Sequence, residues 1–243
     1  MAQAFRERLA GLAIELDGRV AERLARYQAL LWEWNGRMNL TADASPEATL
    51  DRHFMDSLAP LALKGLFPDG ARLIDVGAGA GFPGLALAIA RPDLDVLLLD
   101  SLQKRIGFLD AVVAELGLAN VRTRHARAED GAHDPSLRER FDVAAARAVA
   151  IAPVLMELLL PFVRVGGRAV CYKGPAAEEE VSAGNRAALA LGGGPLRVLD
   201  SPVPGQPDWK HCVLLSDKRA PTPARYPRKA GVPAKQPLGT PGA

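Results

Sequence analysis

Residues 75 to 84 read Asp-Val-Gly-Ala-Gly-Ala-Gly-Phe-Pro-Gly, and they lie between a short apolar run and a second, longer one. The first run, 72–76, is typical of a strand, and the second, 85–89, is typical of a buried helix. Glycine permits a positive φ and lets a ligand approach the backbone with no Cβ in the way. A strand that enters a helix through alternating glycines predicts an α/β unit with a ligand at the turn.

The spacing of these glycines separates two kinds of nucleotide site. A dinucleotide fingerprint, G-x-G-x-x-G, would need glycine at position 82, where the chain has Phe82. The observed G-x-G-x-G, with Asp75 two residues ahead, is typical of the nucleoside pocket of S-adenosylmethionine (AdoMet) methyltransferases. A structural tight turn explains a lone G-x-G-x-G about as well. The strand before it and the helix after it favour a cofactor site that includes Gly77 and Gly79.

Strands and helices alternate from this segment onward. Apolar runs predict strands at 72–76, 96–99, 121–125, 141–146, 168–172, 196–199 and 212–215, and helices at 85–89, 106–116, 154–163 and 176–191. This order predicts an α/β fold with a doubly wound, mostly parallel, seven-stranded, Rossmann-like sheet. The last two strands have no helix between them and predict a hairpin at one edge.

Both ends of the chain differ from this central part. Apolar residues at helical spacing predict a helical extension over residues 1–66, packed on a main domain at 67–216. Residues 217–243 hold many prolines without an apolar period, so we expect no regular secondary structure there. They carry six basic residues and one acidic residue in a chain of net charge +2. This charge suits either an anionic partner or a solubilising role.

Composition excludes several classes of protein. With 49% apolar and 24% charged residues the chain is not disordered. No apolar run is long enough to cross a bilayer, and charges interrupt the N-terminus where a signal peptide would be apolar, so we expect a cytoplasmic protein. Cys171 and Cys212 are too few for a disulfide scaffold or a Cys-rich zinc site. No metal-ligand spacing is present, and both thiols are expected to be buried.

Polar residues follow the other strands, and each allows two interpretations. Asp100 could accept the ribose hydroxyls of a nucleoside, or it could cap the next helix together with Ser101. Glu129, beside the small Ala128, could accept an adenine amino group, or it could be a solvated loop acid. Arg147 could bind a carboxylate or phosphate with its planar guanidinium, or it could form a salt bridge within the fold.

Two acceptor chemistries lack the residues that they need. No Asp/Asn-Pro-Pro-aromatic segment follows the fourth strand, as methylation of an adenine or cytosine amino group would require. Neither cysteine follows a proline or occupies an obvious nucleophile loop, which disfavours methylation of pyrimidine C5 through a thiolate.

Eight segments, from about residue 30 to 238, together carry a family resemblance. They are Trp34-Asn35 with Asn39-Leu40-Thr41, Arg52-His53 with Asp56-Ser57-Leu58, the turn 75–84, Asp100-Ser101 with Lys104-Arg105, Ala128-Glu129, Ala146-Arg147-Ala148, Tyr172-Lys173-Gly174, and Tyr226-Pro227-Arg228-Lys229 with Gly231 and Pro233. In this order they resemble the bacterial 16S ribosomal RNA guanine-N7 methyltransferases, also called the glucose-inhibited division protein B family.

The resemblance implies a class I AdoMet methyltransferase that methylates N7 of one guanine, guanine 527, in the 530 loop of 16S ribosomal RNA. It implies cofactor contacts at Gly77, Phe82, Asp100, Ser101, Leu102, Ala128, Glu129 and Arg147, to which the glycine turn adds Gly79. Guanine N7 carries a lone pair and no proton, so its methylation needs no general base, and no catalytic residue is identified. The expected partner is 16S ribosomal RNA or the small ribosomal subunit, without membrane or metal, and the chain is expected to act as a monomer.

The basic tail is expected to supply much of the contact with RNA phosphates. The candidates there are Lys218, Arg219, Arg225, Arg228, Lys229 and Lys235, with Tyr226 stacking on a base and with Arg37 and Lys173 nearer the catalytic end. Two other functions remain open from the residues alone. One is an NAD-linked dehydrogenase, against which Phe82 argues, and the other is a non-catalytic RNA-binding factor that senses AdoMet.

Overall fold

A computed structural model describes residues 1–12 and 14–240 of the chain. Its sheet has the strand order β3-β2-β1-β4-β5-β7-β6. The strands are β1 (Arg72–Val76), β2 (Asp95–Asp100), β3 (Val121–His125), β4 (Phe141–Arg147), β5 (Val163–Lys173), β6 (Arg197–Asp200) and β7 (Cys212–Asp217). The first five run parallel, and β7 pairs antiparallel with both β5 and β6. The seven-stranded sheet and the closing hairpin are therefore confirmed.

Helices cover both faces of this sheet, which explains why central strands such as β2 are continuous apolar runs, whereas β3 and β6 at the two edges are more exposed. The helices are α1 (Ala2–Ala10), α2 (Val20–Met38), α3 (Pro46–Thr49), α4 (Asp56–Leu58), α5 (Gly84–Ala90), α6 (Gln103–Leu116), α7 (Ala128–Gly131), α8 (Ala152–Leu159), α9 (Ala177–Ala190) and α10 (Val232–Lys235). One core joins α1, α2, α5 and α6 to strand residues such as Leu73. The other joins α8 and α9 to the alternate strand residues, such as Ile74.

The segment from residue 46 to 62 is helical throughout, but its helix type changes. Ser45 caps α3, and Pro46 occupies its first position, where a missing N–H costs nothing. A π-helical turn, Leu50–Met55, then leads through α4 into a 3₁₀ turn at Ala59–Ala62. Phe54 lies in the first core, and Tyr172 on β5 donates a hydrogen bond to the carbonyl of Ser57 over 2.9 Å. The extension is thereby held against the sheet near the carboxyl ends of its strands.

The basic tail packs against the body of the protein. Lys218 is buried and donates to the carbonyl of Leu160 over 2.6 Å, and burial lowers its pKa to about 8. The backbone N–H of Thr222 donates to Glu139 over 2.7 Å. The expectation of no regular secondary structure is wrong at Val232–Lys235, which form α10. Residues 241–243 of the predicted tail lie outside the described residues, and the division at 66 and 216 stays a prediction.

Two of the predicted absences concern a membrane-spanning helix and a metal site. Over 1–12 and 14–240, no helix combines the length and the apolar character needed to cross a membrane. The same residues contain no cluster of three or more His, Cys, Asp or Glu side chains suited to a metal ion. Both cysteines are buried free thiols, and burial raises the pKa of Cys171 to about 12, so its thiol is a poor nucleophile.

Candidate active site

A cleft of about 440 Å³ opens at the carboxyl ends of the central strands. The strand order reverses between β1 and β4, which is where open α/β sheets bind ligands. Six of the predicted cofactor residues line the cleft, namely Gly77, Gly79, Phe82, Asp100, Ser101 and Arg147. The remaining lining residues include Leu40, Thr41, His53, Arg105, Ala148 and Val149. The glycine turn, the second strand and the fourth strand therefore meet at one site.

The glycine turn has the backbone that its sequence requires. Gly77 and Gly79 have φ values of 76° and 59°, in the region that favours glycine. A Cβ added at Gly77 would lie 2.9 Å from a methyl group of Val149, so only glycine leaves the cleft floor open. The N–H of Gly77 donates to the carbonyl of Leu99 over 2.8 Å and ties the turn to β2.

Asp100 is the buried acid of the cleft, with a side chain 2% exposed. One carboxylate oxygen accepts the N–H of Gly79 over 2.9 Å, and the other accepts the N–H of Leu102 over 2.8 Å. Nη1 of Arg105 also donates to Oδ2, over 3.4 Å, whereas Oδ1 keeps a further lone pair with which it can accept a ribose hydroxyl. In the described chain no side chain caps α6, whose N-cap is Leu102, so the capping alternative for Asp100 and Ser101 is wrong.

Asp75 belongs to the same motif but serves the fold. Its Oδ2 accepts the N–H of Gly84, at the start of α5, over 2.8 Å. The residue is fully buried, and this burial raises the pKa of its carboxyl group to about 7. A Cβ at Gly84 would lie 2.6 Å from the Asp75 Cβ, which explains the last glycine of the motif.

Phe82 joins the cofactor turn to the helical extension. Its ring stacks on Tyr27 at 5.3 Å and on His53 at 5.2 Å between centroids, and it meets Phe54 edge-on at 5.0 Å. The guanidinium carbon of Arg147 lies 5.1 Å from the Phe82 centroid. An aromatic side chain at position 82 therefore excludes a dinucleotide fingerprint and holds one wall of the cleft.

Arg147 forms the salt bridge of the second interpretation, and its contact with a carboxylate or phosphate of a ligand stays a prediction. It lines the cleft, and its Nη1 pairs with Asp56 over 2.8 Å and donates to the carbonyl of Arg52 over 2.9 Å. Its Nη2 lies 3.0 Å from Nδ1 of His53. The end of β4 is thereby locked to the π-helical turn and α4 of the extension.

His53 is neutral in this network. Burial, and next the nearby Arg147 charge, lower its pKa to about 4. A guanidinium has only donors, so Nδ1 of His53 must be the acceptor from Arg147. Its proton then lies on Nε2, which donates to the hydroxyl of Thr41 over 3.0 Å. The imidazole is a fixed link between the extension and β4.

We expect the His53→Gln variant to lose less stability than the wild type as the pH falls from 7 to 5. In the unfolded chain His53 binds a proton near pH 6.5, whereas in the folded protein it binds one only near pH 4. The wild type therefore loses stability as pH falls through this interval, and the variant lacks this contribution. Thermal melts from pH 7 to pH 5 test this.

The comparison uses only the difference between the two melting curves. Asp75, with its raised pKa, has the opposite pH dependence in the same range, but it is common to both proteins. Melting temperatures that fall in parallel for the two proteins would show that His53 is not buried as a neutral group.

A second cavity of about 360 Å³, which we call the acceptor cavity, adjoins the cofactor cleft. Its wall includes Arg52, Asp56, Tyr172, Lys173 and His211. His53, Arg147 and Ala148 line both spaces. Ala148 has a φ of 56°, a strained value for a residue with a Cβ, and such strain is common at functional sites. The two spaces thus meet along one shared wall.

Three predicted cofactor residues are not among the described residues that line the cleft. They are Leu102, Ala128 and Glu129. One oxygen of Glu129 accepts the N–H of Gly231, in the tail, over 2.8 Å. Glu129 is 8% exposed, so it is not the solvated loop acid of the alternative interpretation. Its contact with an adenine amino group stays a prediction.

The predicted RNA-binding residues divide into two groups. Arg37, Arg219, Arg225, Lys229 and Lys235 are exposed, and Lys173 lies in the acceptor cavity, where it donates to Glu180 over 2.7 Å. The other three are corrected. Lys218 is buried, Arg228 pairs with the fully buried Glu157 over 2.7 Å, and Tyr226 is 8% exposed within the second core. These side chains hold the tail in place and do not present a free charge or an open ring to RNA.

Sequence reasoning missed the residues that join the extension to the sheet. Arg52-His53 and Asp56 are part of the family resemblance, but their spacing alone assigns them no role. His211 precedes β7 and pairs with Asp56 over 2.7 Å, although 155 positions separate the two in the chain. No local pattern indicates such a contact.

This chain is similar to a family of known enzymes. The family model described as rRNA small subunit methyltransferase G matches residues 20–202. The Ribosomal RNA small subunit methyltransferase G of Clostridium beijerinckii is 44% identical over 227 residues, which cover 93% of this chain and 94% of the relative. The protein of the same name from Alkaliphilus oremlandii is 44% identical over 234 residues, 96% of this chain and 97% of the relative.

A solved structure shows the same fold at low identity. A predicted O-methyltransferase of Agrobacterium tumefaciens matches with a TM-score of 0.51 and 21% identity, over 69% of this chain and 81% of that one.

Proposed function

Because the chain belongs to the rRNA small subunit methyltransferase G family, whose members methylate ribosomal RNA with AdoMet, we propose that it methylates N7 of a single guanine in 16S ribosomal RNA. The proposed target is guanine 527, in the 530 loop. The observation that carries this proposal is the acceptor cavity, which shares His53, Arg147 and Ala148 with the cofactor cleft. An enzyme that reacts with a base takes it out of the stack into such a pocket.

The cleft has the features that AdoMet requires. A nucleoside needs a carboxylate for its ribose and an open backbone for its approach, and Asp100 and Gly77 provide them. The cofactor supplies an electrophilic methyl group on its sulfonium sulfur. Asp100, Gly77 and Gly79 would hold its nucleoside end, with Ser101 and Arg147 beside them.

The chemistry on the protein side is mainly orientation. Guanine N7 has a lone pair and no hydrogen, so no side chain has to remove a proton before attack. The task of the protein is to hold N7 in line with the methyl group, and such positioning can supply several kcal/mol of the barrier reduction. The locked wall of His53 and Arg147 suits this task, because neither side chain is free to move independently.

The experiment that tests this function uses purified protein, AdoMet labelled in its methyl group, and small ribosomal subunits from cells that lack this methyltransferase. We expect digestion of the RNA to release the label in N7-methylguanosine. Label in another nucleoside would overturn the N7 assignment. AdoMet binding without any transfer to ribosomal RNA would favour a non-catalytic AdoMet sensor instead.

We also propose that one chain is the active unit, because both cavities are lined by a single chain. Size measurement in solution tests this, and a stable dimer that loses activity on dissociation would contradict it. A protein that modifies ribosomal RNA has its substrate in the cytoplasm, which we propose as its location.

RNA contact is proposed for the exposed part of the tail. Replacing Arg225, Lys229 and Lys235 together with alanine should weaken binding to the small subunit and leave AdoMet affinity unchanged. Each lost phosphate contact should flatten the log–log salt dependence by about one unit. Binding titrations at several salt concentrations test this, and an unchanged slope would assign the tail a purely structural role.

A further inference from the structure

The Asp56 carboxylate lies between two cationic or potentially cationic side chains from distant parts of the fold. Its Oδ2 pairs with Nη1 of Arg147 at the end of β4 over 2.8 Å. Its Oδ1 lies 2.7 Å from Nδ1 of His211, the residue before β7. The Asp56 side chain is 12% exposed and that of His211 is 27% exposed, so the imidazole reaches a solvent-accessible space. That space is the acceptor cavity.

His211 belongs to the part of the acceptor-cavity wall that is not shared with the cofactor cleft. It lines this cavity but is not among the described residues that line the cofactor cleft. It also lines two further surface pockets beside Trp209, whose ring stacks on the imidazole at 5.1 Å. His211 therefore borders both the acceptor cavity and the outer surface.

The hydrogen bond with Asp56 determines what His211 presents to the cavity. A carboxylate that pairs with Arg147 can only accept, so Nδ1 of His211 carries the hydrogen that it donates. In the neutral imidazole the other nitrogen, Nε2, then has a free lone pair. In this form His211 presents a hydrogen-bond acceptor whose direction is fixed by Asp56.

We propose that the acceptor cavity holds the target guanine and that Nε2 of His211 accepts a hydrogen bond from its Watson–Crick edge. This inference rests on the proposed function. The 2-amino group lies across the purine from N7, with N1–H beside it, so in the proposed pose N7 is directed at the cofactor cleft and these donors at His211. Adenine has the same N7 but has no hydrogen on N1 and no 2-amino group. Nε2 of His211 therefore selects guanine.

The same contact favours the reaction. Methylation of N7 leaves the purine with a positive charge, which makes its N1–H and 2-amino groups stronger donors. A hydrogen bond from these groups to His211, whose imidazole is backed by the Asp56 carboxylate, becomes stronger as the methyl group is transferred. An interaction that is stronger in the transition state than in the ground state raises kcat.

Two variants of His211 separate this role from a purely structural one. His211→Asn places an amide near the position of Nδ1 and can keep the bond to Asp56, but it has no atom at the position of Nε2. His211→Gln places its amide near Nε2 and gives up the bond to Asp56. Methyl transfer is measured on small subunits from cells that lack the methyltransferase, and on 530-loop RNA with guanosine or adenosine at the target position. AdoMet affinity reports that each variant is folded.

We expect His211→Asn to lower kcat/KM for guanosine at least tenfold, mainly through kcat, and to reduce the preference for guanosine over adenosine. AdoMet affinity should stay within twofold of the wild type, and His211→Gln should stay within about threefold of the wild-type kcat/KM. The reverse order, with the asparagine variant active and the glutamine variant impaired, would mean that His211 only holds Asp56. Equal activity of all three proteins would also overturn the inference.

A third variant is measured if neither amide variant binds AdoMet. His211→Ala is then used, and added imidazole should raise its rate at least fivefold; no rise would overturn the inference. The result with the wild type distinguishes the proposed function from the proposed role of His211. A wild type that forms no N7-methylguanosine contradicts the proposed function, whereas an active wild type with an equally active His211→Asn variant contradicts only the role of His211.

Discussion

Replacement of Arg228 with alanine is expected to destabilise the protein by about 3–5 kcal/mol. Glu157 lies in α8 and is 0% exposed, and both of its oxygens accept hydrogen bonds from the Arg228 guanidinium, at 2.9 and 2.7 Å. Without Arg228 a buried carboxylate loses its counter-charge, which costs far more than a surface ion pair. The melting temperature should fall by about 10 °C in a chain of this size.

The neighbouring Lys229 provides the matched control. It is exposed, and its replacement with alanine should change stability by less than about 0.5 kcal/mol. A double variant, Arg228→Met with Glu157→Leu, should recover most of the loss because it removes both buried charges. If the Arg228→Ala and Lys229→Ala proteins have the same melting temperature, then the tail is not anchored through Glu157.

Replacement of Asp100 with alanine is expected to lower AdoMet affinity at least 100-fold, or about 2.7 kcal/mol. The change removes the ribose acceptor and also frees the N–H groups of Gly79 and Leu102, which shape the cleft. A hydrogen bond to a charged group contributes about 1.5–3 kcal/mol, so the lost ribose contact together with the disturbed turn is enough for this effect. Calorimetric titration with AdoMet measures it.

Asp95 is the control for this experiment, because it begins the same strand and forms a surface pair with Arg122 over 2.9 Å. Asp95→Ala should bind AdoMet like the wild type. A folded Asp100→Ala protein with unchanged affinity would show that the cofactor is held elsewhere.

The sheet could be predicted from sequence because its signals are local. Apolar runs such as residues 96–99 are buried on both faces, and β2 and the other central strands formed where such runs occur. The cofactor cleft was predictable for the same reason, since the fold brings the ends of neighbouring parallel strands together. Gly77, Gly79 and Asp100 follow from strand ends and glycine spacing alone.

The prediction that all of the tail's basic residues are free to contact RNA was wrong because composition does not show what packs against the tail. Its prolines and basic residues are typical of an extended surface segment, but Arg228 and Lys218 find partners in the body of the protein. One signal was present in the sequence. Glu157 stands in an otherwise apolar helix, and a buried carboxylate requires a cation from elsewhere.

The acceptor cavity could not be predicted because its wall depends on contacts between distant segments. Asp56 comes from the helical extension, Arg147 from β4 and His211 from the connection before β7. Each is an ordinary polar residue in its local sequence. Their common role arises only when the extension packs against the carboxyl edge of the sheet.

The central claim is transfer of a methyl group to N7 of one guanine in 16S ribosomal RNA. The most direct test uses cells that lack this methyltransferase and receive either the wild-type protein or Asp100→Ala. N7-methylguanine carries a positive ring that can be reduced and cleaved, so strand scission maps it to a single nucleotide. We expect scission at guanine 527 of the 530 loop with the wild type, and none there with Asp100→Ala or without the protein. Absence of scission at that guanine in cells with active wild-type protein, or equal scission in all three, would contradict the account.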